Sequence, residues 1–184
     1  MQKHNLHIIK NSVIAFAMTL FFACKSNLKD VKKMSMSANE PVGVSDSINV
    51  KYTDSGRLSA NLVSPKMFDY SNRMFSYSEF PDGIVLYLYD DKNAKTTVIS
   101  DYAIIYNNTN LIDLQGNVIA ATPTMDTLYA DQLYYDQSKE WLFTNKPATY
   151  RSKGYVTSGN GFDSDKNFTK AEILGVTGQF AVQE

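Results

Sequence analysis

Two aspartates, Asp101 and Asp131, have the side chain required for acid–base chemistry and occupy matching sequence contexts. A glycosidase needs two carboxyl groups about 5–10 Å apart. In a second interpretation, each aspartate ends a strand and accepts hydrogen bonds from turn amides. Because repeats duplicate a scaffold more readily than an active site, we expect both aspartates to be structural.

A second acidic segment, Asp163–Asn167, has the sequence Asp-Ser-Asp-Lys-Asn and resembles the first half of a calcium-binding loop. An EF-hand also needs glycine at the sixth position and glutamate at the twelfth. Those positions hold Phe168 and Leu174. We therefore predict a solvated loop and no metal site.

A group of aromatic residues contains Trp141, Tyr134, Tyr135 and Phe143. Such rings could stack on a sugar, but aromatic pairs in the core of a sheet are the commoner arrangement. The sequence favours core packing for this group.

The first 23 residues have the pattern of a secretory signal. Lys3 and Lys10 precede an apolar run, Ser12–Ala23, and Cys24 follows as the only cysteine. The run is shorter than the roughly 20 residues that span a bilayer, and the pattern resembles a bacterial lipoprotein signal, in which the chain is cut before an acylated cysteine. We expect lipid attachment at Cys24; a transmembrane anchor and a soluble periplasmic protein are the alternatives.

Cleavage before Cys24 removes most of the usual catalytic groups. His4 and His7 both lie in the signal, so the mature chain has no histidine and no free thiol. Ser-His, Cys-His and His-metal sites are thereby excluded. The formal charge changes from −1 to −3 with the loss of the two lysines, and no basic patch with interleaved aromatics indicates nucleic acid. We predict no catalytic residue, no cofactor and no metal.

The remainder divides into a tether and one domain. Residues 24–49 are polar and lack a 3.6 or 2 period, which is typical of a flexible tether. Such a tether would hold the domain about 25–30 Å from the lipid. The alternative is an N-terminal strand docked on the domain from Val42 onward. Residues 50–184 are enough for one domain with its own core.

The domain sequence predicts strand after strand. Apolar residues alternate along Leu58–Leu62 and Ile84–Tyr89, and Tyr, Val, Ile, Thr and Phe are abundant, as sheets prefer. Turn or bulge residues separate these segments, at 90–93, Gly116-Asn117 and 159–161. No window forms a long amphipathic helix, so we predict an all-β domain of many short antiparallel strands.

An internal repeat supports this prediction. The segment that begins at Val98 matches the one that begins at Leu128, at an offset of 30, and a weaker copy begins at Val156. A period near 30 with strand content indicates stacked two-strand units that bury a common core. A chance match between β-rich segments is the alternative.

The order of these motifs resembles a known family. It comprises a Gly56-Arg-Leu opening, Glu79-Phe-Pro-Asp-Gly, the two copies that contain Asp101 and Asp131, Leu114-Gln-Gly-Asn-Val, and Gly159-Asn-Gly-Phe. Over roughly Gly56–Gly178 the chain resembles the LptC family of lipopolysaccharide export proteins and the wider OstA-like β-jellyroll group.

That resemblance implies an open β-jellyroll that stacks edge to edge with its neighbours and shields acyl chains in an apolar groove. It implies a glycolipid carrier and no enzyme. The implied partners are lipopolysaccharide, an inner-membrane ABC transporter complex and a periplasmic bridge protein with the same jellyroll fold. The best-known members carry a transmembrane helix where this chain has Cys24. We expect the lipid anchor to hold the protein on the periplasmic side, at the inner membrane in preference to the outer.

Several strands are apolar on both faces, for example Ile84–Tyr89 and Leu133–Tyr135. The excess apolar surface predicts either an open apolar trough or a closed sandwich with exposed tyrosines. One set of alternate residues is predicted to face the interior, where some members would line the lipid path. This predicted glycolipid groove comprises Ile84, Leu86, Leu88, Ile112, Leu114, Val118, Leu128 and Leu142.

The C-terminal segment Ile173–Val182 is β-rich, carries no charge and lacks the Lys or Pro that protects an edge strand. We predict that it docks the next jellyroll by β-augmentation, and that the other end, near Gly56–Val63, meets the transporter. An ordinary paired terminal strand is the alternative. The predicted partner-edge residues are Ile173, Leu174, Val176 and Phe180.

Overall fold

The computed structural model describes residues 40–177, in which every regular element is a β-strand. The twelve strands form a single sheet in which all pairings are antiparallel, which confirms the all-β prediction and agrees with a β-jellyroll. Within residues 40–177, no helix is long and apolar enough to cross a membrane. The strands are β1 Gly43–Asp54, β2 Arg57–Asp69, β3 Tyr77–Phe80, β4 Ile84–Tyr89, β5 Lys95–Ser100, β6 Tyr102–Tyr106, β7 Leu111–Ala121, β8 Thr127–Asp136, β9 Trp141–Thr144, β10 Ala148–Ser152, β11 Tyr155–Asp165 and β12 Glu172–Thr177.

The sheet is divided into two layers because its long strands change partners halfway. Strand β2 pairs with β4 through Ala60–Val63 and with β3 through Phe68–Asp69. Strand β7 pairs with β6 through Leu111–Gln115 and with β5 through Ile119–Ala121. The first layer thus contains β4, β5 and β10, and the second contains β3, β6 and β9. The long strands cross from one layer to the other at a common bend.

Irregular backbone at the bend allows this crossing. Gly116 and Asn117 have positive φ angles of 75° and 46° and form a bulge between Gln115 and Val118. A bulge bends its strand and increases the local twist. The Asp101 backbone N–H donates to Gly116 O (3.0 Å), and the Asn117 side-chain amide donates to Asp101 Oδ2 (2.6 Å). Asp101 therefore has the structural role that we expected.

Asp131 differs from this expectation in one respect. It lies inside β8, opposite the bulge, and is exposed. It does not end a strand, because β8 is continuous across the bend where β5 and β6 are separate strands.

The repeat at an offset of 30 corresponds to equivalent positions in the fold. Val98 and Leu128 are both fully buried in the first layer, and Asp101 and Asp131 both lie at the bend. The third copy crosses the bend at Asn160 of β11, between residues that pair with β12. The repeated unit is therefore one crossing of the bend.

The N-terminal strand corrects the predicted tether boundary. Strand β1 pairs with β2 from Gly43 to Asp54, so it overlaps the predicted tether as far as Asn49. The docked-strand alternative describes this segment correctly. Ile48 is the one buried residue of β1, and an edge strand with so little buried surface shows almost no hydrophobic period in its sequence.

Gly83 lies at the bend, where a side chain would collide with the backbone of Ser100 and Asp101. An added Cβ would lie 2.5 Å from Ser100 O and 3.2 Å from Asp101 O, at a φ of +81°. Gly56 has the same φ and nothing within 4 Å of its added Cβ. We expect Gly83→Ala to lower the free energy of unfolding by about 2–4 kcal/mol and Gly56→Ala by about 1 kcal/mol. Urea denaturation measures both; equal losses would contradict the collision.

Candidate functional site

The interior between the two layers contains all eight residues that the sequence predicts for the groove. Each has 3% or less of its surface exposed and belongs to one continuous hydrophobic core. Strand β4 shows the alternation plainly, with Ile84, Leu86 and Leu88 buried and the residues between them half-buried. The structure thus packs these side chains against one another, and their contact with lipid stays a prediction.

In the first layer, the interior is a row of directly paired residues that crosses the sheet. Leu62, Leu86 and Val98 at the centre of this row are 1% exposed or less. All members but one are apolar, so the row forms an uninterrupted hydrophobic band. It comprises Val50, Leu62, Leu86, Val98, Ala120, Leu128, Tyr150 and Thr157.

In the second layer, a shorter row faces the first. Phe80 pairs with Ala103, which pairs with Leu114, which in turn pairs with Leu133. Their exposed fractions are 2% or less. The two layers therefore enclose a mainly apolar interior, in which Thr96 and Ser164 are the most deeply buried polar side chains.

Both edges of the sheet leave this interior uncovered. Val50 and Tyr52 of β1 share the side of the sheet that Leu62 occupies, yet they are 38% and 39% exposed. At the other edge, Val176 of β12 is 47% exposed. Among the described residues, β1 pairs only with β2, and β12 pairs only with β11. Apolar side chains of the interior thus reach solvent at two opposite edges.

The predicted partner edge lies on β12. Ile173 packs against the core, whereas Leu174 is 39% exposed. Phe180 lies outside the described residues. That the other end, near Gly56–Val63, meets the transporter stays a prediction. Gly56–Val63 belongs mainly to β2, which pairs with β1, so β1 is the outermost strand at that edge.

Next to the bend, the core contains small polar side chains beside large apolar ones. Ser64 and Ser100 are buried there together with Ile84 and Val118. The Ser64 hydroxyl donates to Gly83 O (2.8 Å), which keeps that polar group satisfied.

The ends of the two layers that lie far from the bend border a polar opening, which we call the mouth. A cavity of about 650 Å³ is lined by turns of both layers, including Arg57, Asp91, Glu140 and Lys166. Arg57 forms an ion pair with Asp91, and Lys166 Nζ lies 2.6 Å from Glu140 Oε1. The molecule therefore changes from a mainly apolar core to charged residues at the mouth.

The second apolar set of side chains lies on the outer faces, as the closed-sandwich alternative predicts. On the first layer, Val63, Val85, Ile99 and Ile119 form a paired row beside a groove of about 810 Å³. No functional site is predicted from the sequence for this row. In the sequence, this row is visible only as a second set of alternate apolar residues in β4 and β5. That pattern does not show whether the set lies on an outer groove or faces the interior.

The remaining candidates from the sequence take structural positions. Trp141 Nε1 donates to Asp163 Oδ1 (2.9 Å), and Asp165 accepts from Thr169 Oγ1 (2.6 Å) within a turn. No cluster of three or more acidic, histidine or cysteine side chains suited to a metal occurs in the described part of the chain.

The aromatic group is split between two faces. Tyr135 is in the core, at 5% exposure, whereas Tyr134 and Phe143 stack on the outer face with ring centroids 5.3 Å apart. Core packing was therefore correct for Tyr135 alone, because adjacent residues of β8 point to opposite sides.

These features define an all-β jellyroll whose two layers enclose a continuous apolar interior that is uncovered at both edges. Residues 12–181 match the family model described as LptC, lipopolysaccharide-assembly, LptC-related. The chain belongs to this family, whose members act in lipopolysaccharide transport in the periplasm as components of machinery linked to the inner membrane. A search of curated proteins found no match.

Proposed function

We propose that this protein receives lipopolysaccharide from an inner-membrane ABC transporter complex and passes it through its interior to a jellyroll protein of the periplasmic bridge. The observation that supports this most is the interior row of the first layer, which stays apolar from Val50 to Tyr150 and is uncovered at the β1 edge. We assign no catalytic role to any residue.

The energetics suit a carrier. Each acyl CH₂ that leaves water gains about 0.8 kcal/mol without any directional contact, so an aliphatic passage binds several chains and still lets them slide. The packed core has no space for acyl chains in this conformation. Passage of lipid therefore requires the two layers to separate at the mouth while they stay joined at the bend. Lipopolysaccharide sugars would then project from the charged mouth that Arg57 and Lys166 border.

Photo-crosslinking tests this path. A photoreactive residue at Leu128, on the interior, is expected to capture lipopolysaccharide, whereas one at the neighbouring Tyr129, which is 38% exposed on the outer face, is the matched control. Adducts from Tyr129 alone would assign the path to the outer groove.

A second candidate function is a binding or assembly module that carries no lipid. The observation in its favour is the tight packing of all eight predicted groove residues. Absence of lipid adducts from both positions, in a protein that still captures its bridge partner, would support this candidate against the first.

We further propose that Cys24, outside the described residues, is the mature N-terminus and carries the lipid anchor. Cys24→Ser is expected to block cleavage and acylation, because the thiol is the acceptor, and to leave the uncut chain detectable by its mass. An unmodified thiol on membrane-bound wild-type protein, found by mass spectrometry, would contradict this proposal.

A further inference from the structure

A pocket on the outer face of the second layer has no part in the proposed lipid path. Its volume is about 390 Å³, and we call it the aromatic pocket. It is lined by Arg73, Phe75, Tyr77, Glu79, Tyr102, Ile104 and Tyr106.

Strand register brings these side chains together. Tyr77 pairs directly with Tyr106, and Glu79 pairs with Ile104. Tyr102 precedes Ile104 by two residues on β6 and therefore lies on the same face. The alternate residues of β6 are buried in the core. The rings of the aromatic pocket therefore lie outside the core, where each is only partly buried and part of its surface is accessible to a ligand.

Polar groups in the pocket are held in fixed positions. The Tyr102 hydroxyl donates to Glu79 Oε1 (2.8 Å), and burial together with this bond raises the pKa of Tyr102 far above its ordinary value. Tyr102 thus stays a neutral donor that orients the carboxylate. Opposite, the Arg73 guanidinium lies 4.6 Å from the Tyr70 ring centroid and 5.4 Å from that of Tyr77.

The hydrogen-bonding surface continues beside the pocket. Asp113, only 5% exposed, accepts one bond from the Gln115 amide and one from the Gln132 amide, each 2.8 Å long. Tyr134 lies on the same face and contacts Gln132 through its hydroxyl. Rings and fixed polar groups thus alternate across the second layer.

This combination selects a class of ligand. The positive charge of Arg73 disfavours binding of a cation, and the carboxylates of Glu79 and Asp113 disfavour binding of a polyanion. A neutral ligand with an apolar face and a hydroxylated edge matches both the rings and the polar groups. A pyranose ring has this character. We propose that the aromatic pocket binds a sugar ring of a saccharide, with the Tyr106 ring against its C–H face and Glu79 accepting from its hydroxyls. The Tyr77 ring stacks on Tyr70, with ring centroids 4.7 Å apart, and forms the wall beside Tyr106.

Two saccharide sources share this chemistry, and direct titration separates them. Full-length protein in detergent is titrated by calorimetry with the lipid-free saccharide released from lipopolysaccharide by mild acid, and separately with tetra-N-acetylchitotetraose as a cell-wall glycan probe. We expect saturable binding of one probe, with tyrosine ring signals shifted in its NMR spectrum. Binding of the first probe identifies a lipopolysaccharide source, and binding of the second a cell-wall source.

Three variants complete the test. Tyr106→Ala is expected to weaken binding roughly tenfold or more, and Tyr102→Phe, which keeps the ring but loses the bond to Glu79, by roughly threefold. Tyr87→Ala is the matched control, because Tyr87 lies on the outer face of the first layer with Lys95 Nζ 4.3 Å from its ring centroid. If Tyr106→Ala does not fold, as judged by thermal melting, the affinity of Tyr102→Phe for the probe tests the proposal in its place.

Two results would overturn the inference: no binding of either probe, or an equal loss in Tyr87→Ala. Neither bears on lipid passage, since capture at Leu128 is measured separately with intact lipopolysaccharide.

Discussion

Leu114→Asp is expected to unfold the domain or to lower its free energy of unfolding by several kcal/mol. Leu114 is fully buried between Ala103 and Leu133, so a carboxylate there has no ion-pair partner in the interior row. An unpaired buried charge costs several kcal/mol, and a domain of this size has only about 5–15 kcal/mol in total. Chemical denaturation followed by circular dichroism measures the loss.

Ile99→Asp is the control for this substitution. Ile99 is 37% exposed and faces outward, so its replacement should change stability by less than about 1 kcal/mol. A folded Leu114→Asp protein with stability close to that of the wild type would show that the interior admits water, contrary to a dry lipid path.

Val176→Lys is expected to abolish capture of the periplasmic bridge protein in a pull-down, if β12 docks that partner as proposed. Lysine on an edge strand prevents β-augmentation because its charge would be buried by the incoming strand. The domain should keep its stability, since Val176 is already 47% exposed. This substitution is a cleaner test than deletion of residues 173–184, which would uncover Phe162, now 0% exposed beside Ile173.

Val50→Lys provides the matched change at the opposite edge. Val50 is 38% exposed on β1, so its replacement should leave capture of the bridge protein intact and weaken association with the transporter. Full capture by Val176→Lys, or equal loss in both variants, would exclude β12 as the specific docking edge.

The alternation of apolar residues determined which side chains enter the core. In β4, residues Ile84, Leu86 and Leu88 are predicted and found on the inner side, because a strand places successive side chains on opposite faces. The repeat likewise predicted equivalent roles for Val98 and Leu128. Both signals are local, so they survive without knowledge of the partner strands.

The edges and the outer sites depended on pairing, which the sequence does not encode locally. Strand β1 exists because β2 supplies a ladder of hydrogen-bond partners from Asp69 to Arg57, and its own exposed residues carry almost no period. Apolar residues on both sides of β4 and β5 were compatible with an outer groove or an inner trough. Which side of β4 and β5 faces inward depends on how the two layers pack about the bend, because the side that faces the other layer becomes the core.

The aromatic residues show the same division. Their type and strand positions determined that they would lie on a sheet, and alternation alone separates Tyr134 from Tyr135. Only the register of β3 against β6 brought Tyr77 to Tyr106 and Glu79 within 2.8 Å of the Tyr102 hydroxyl. These residues are separated by more than twenty positions along the chain, so their contact arises from cross-strand pairing and from no local pattern.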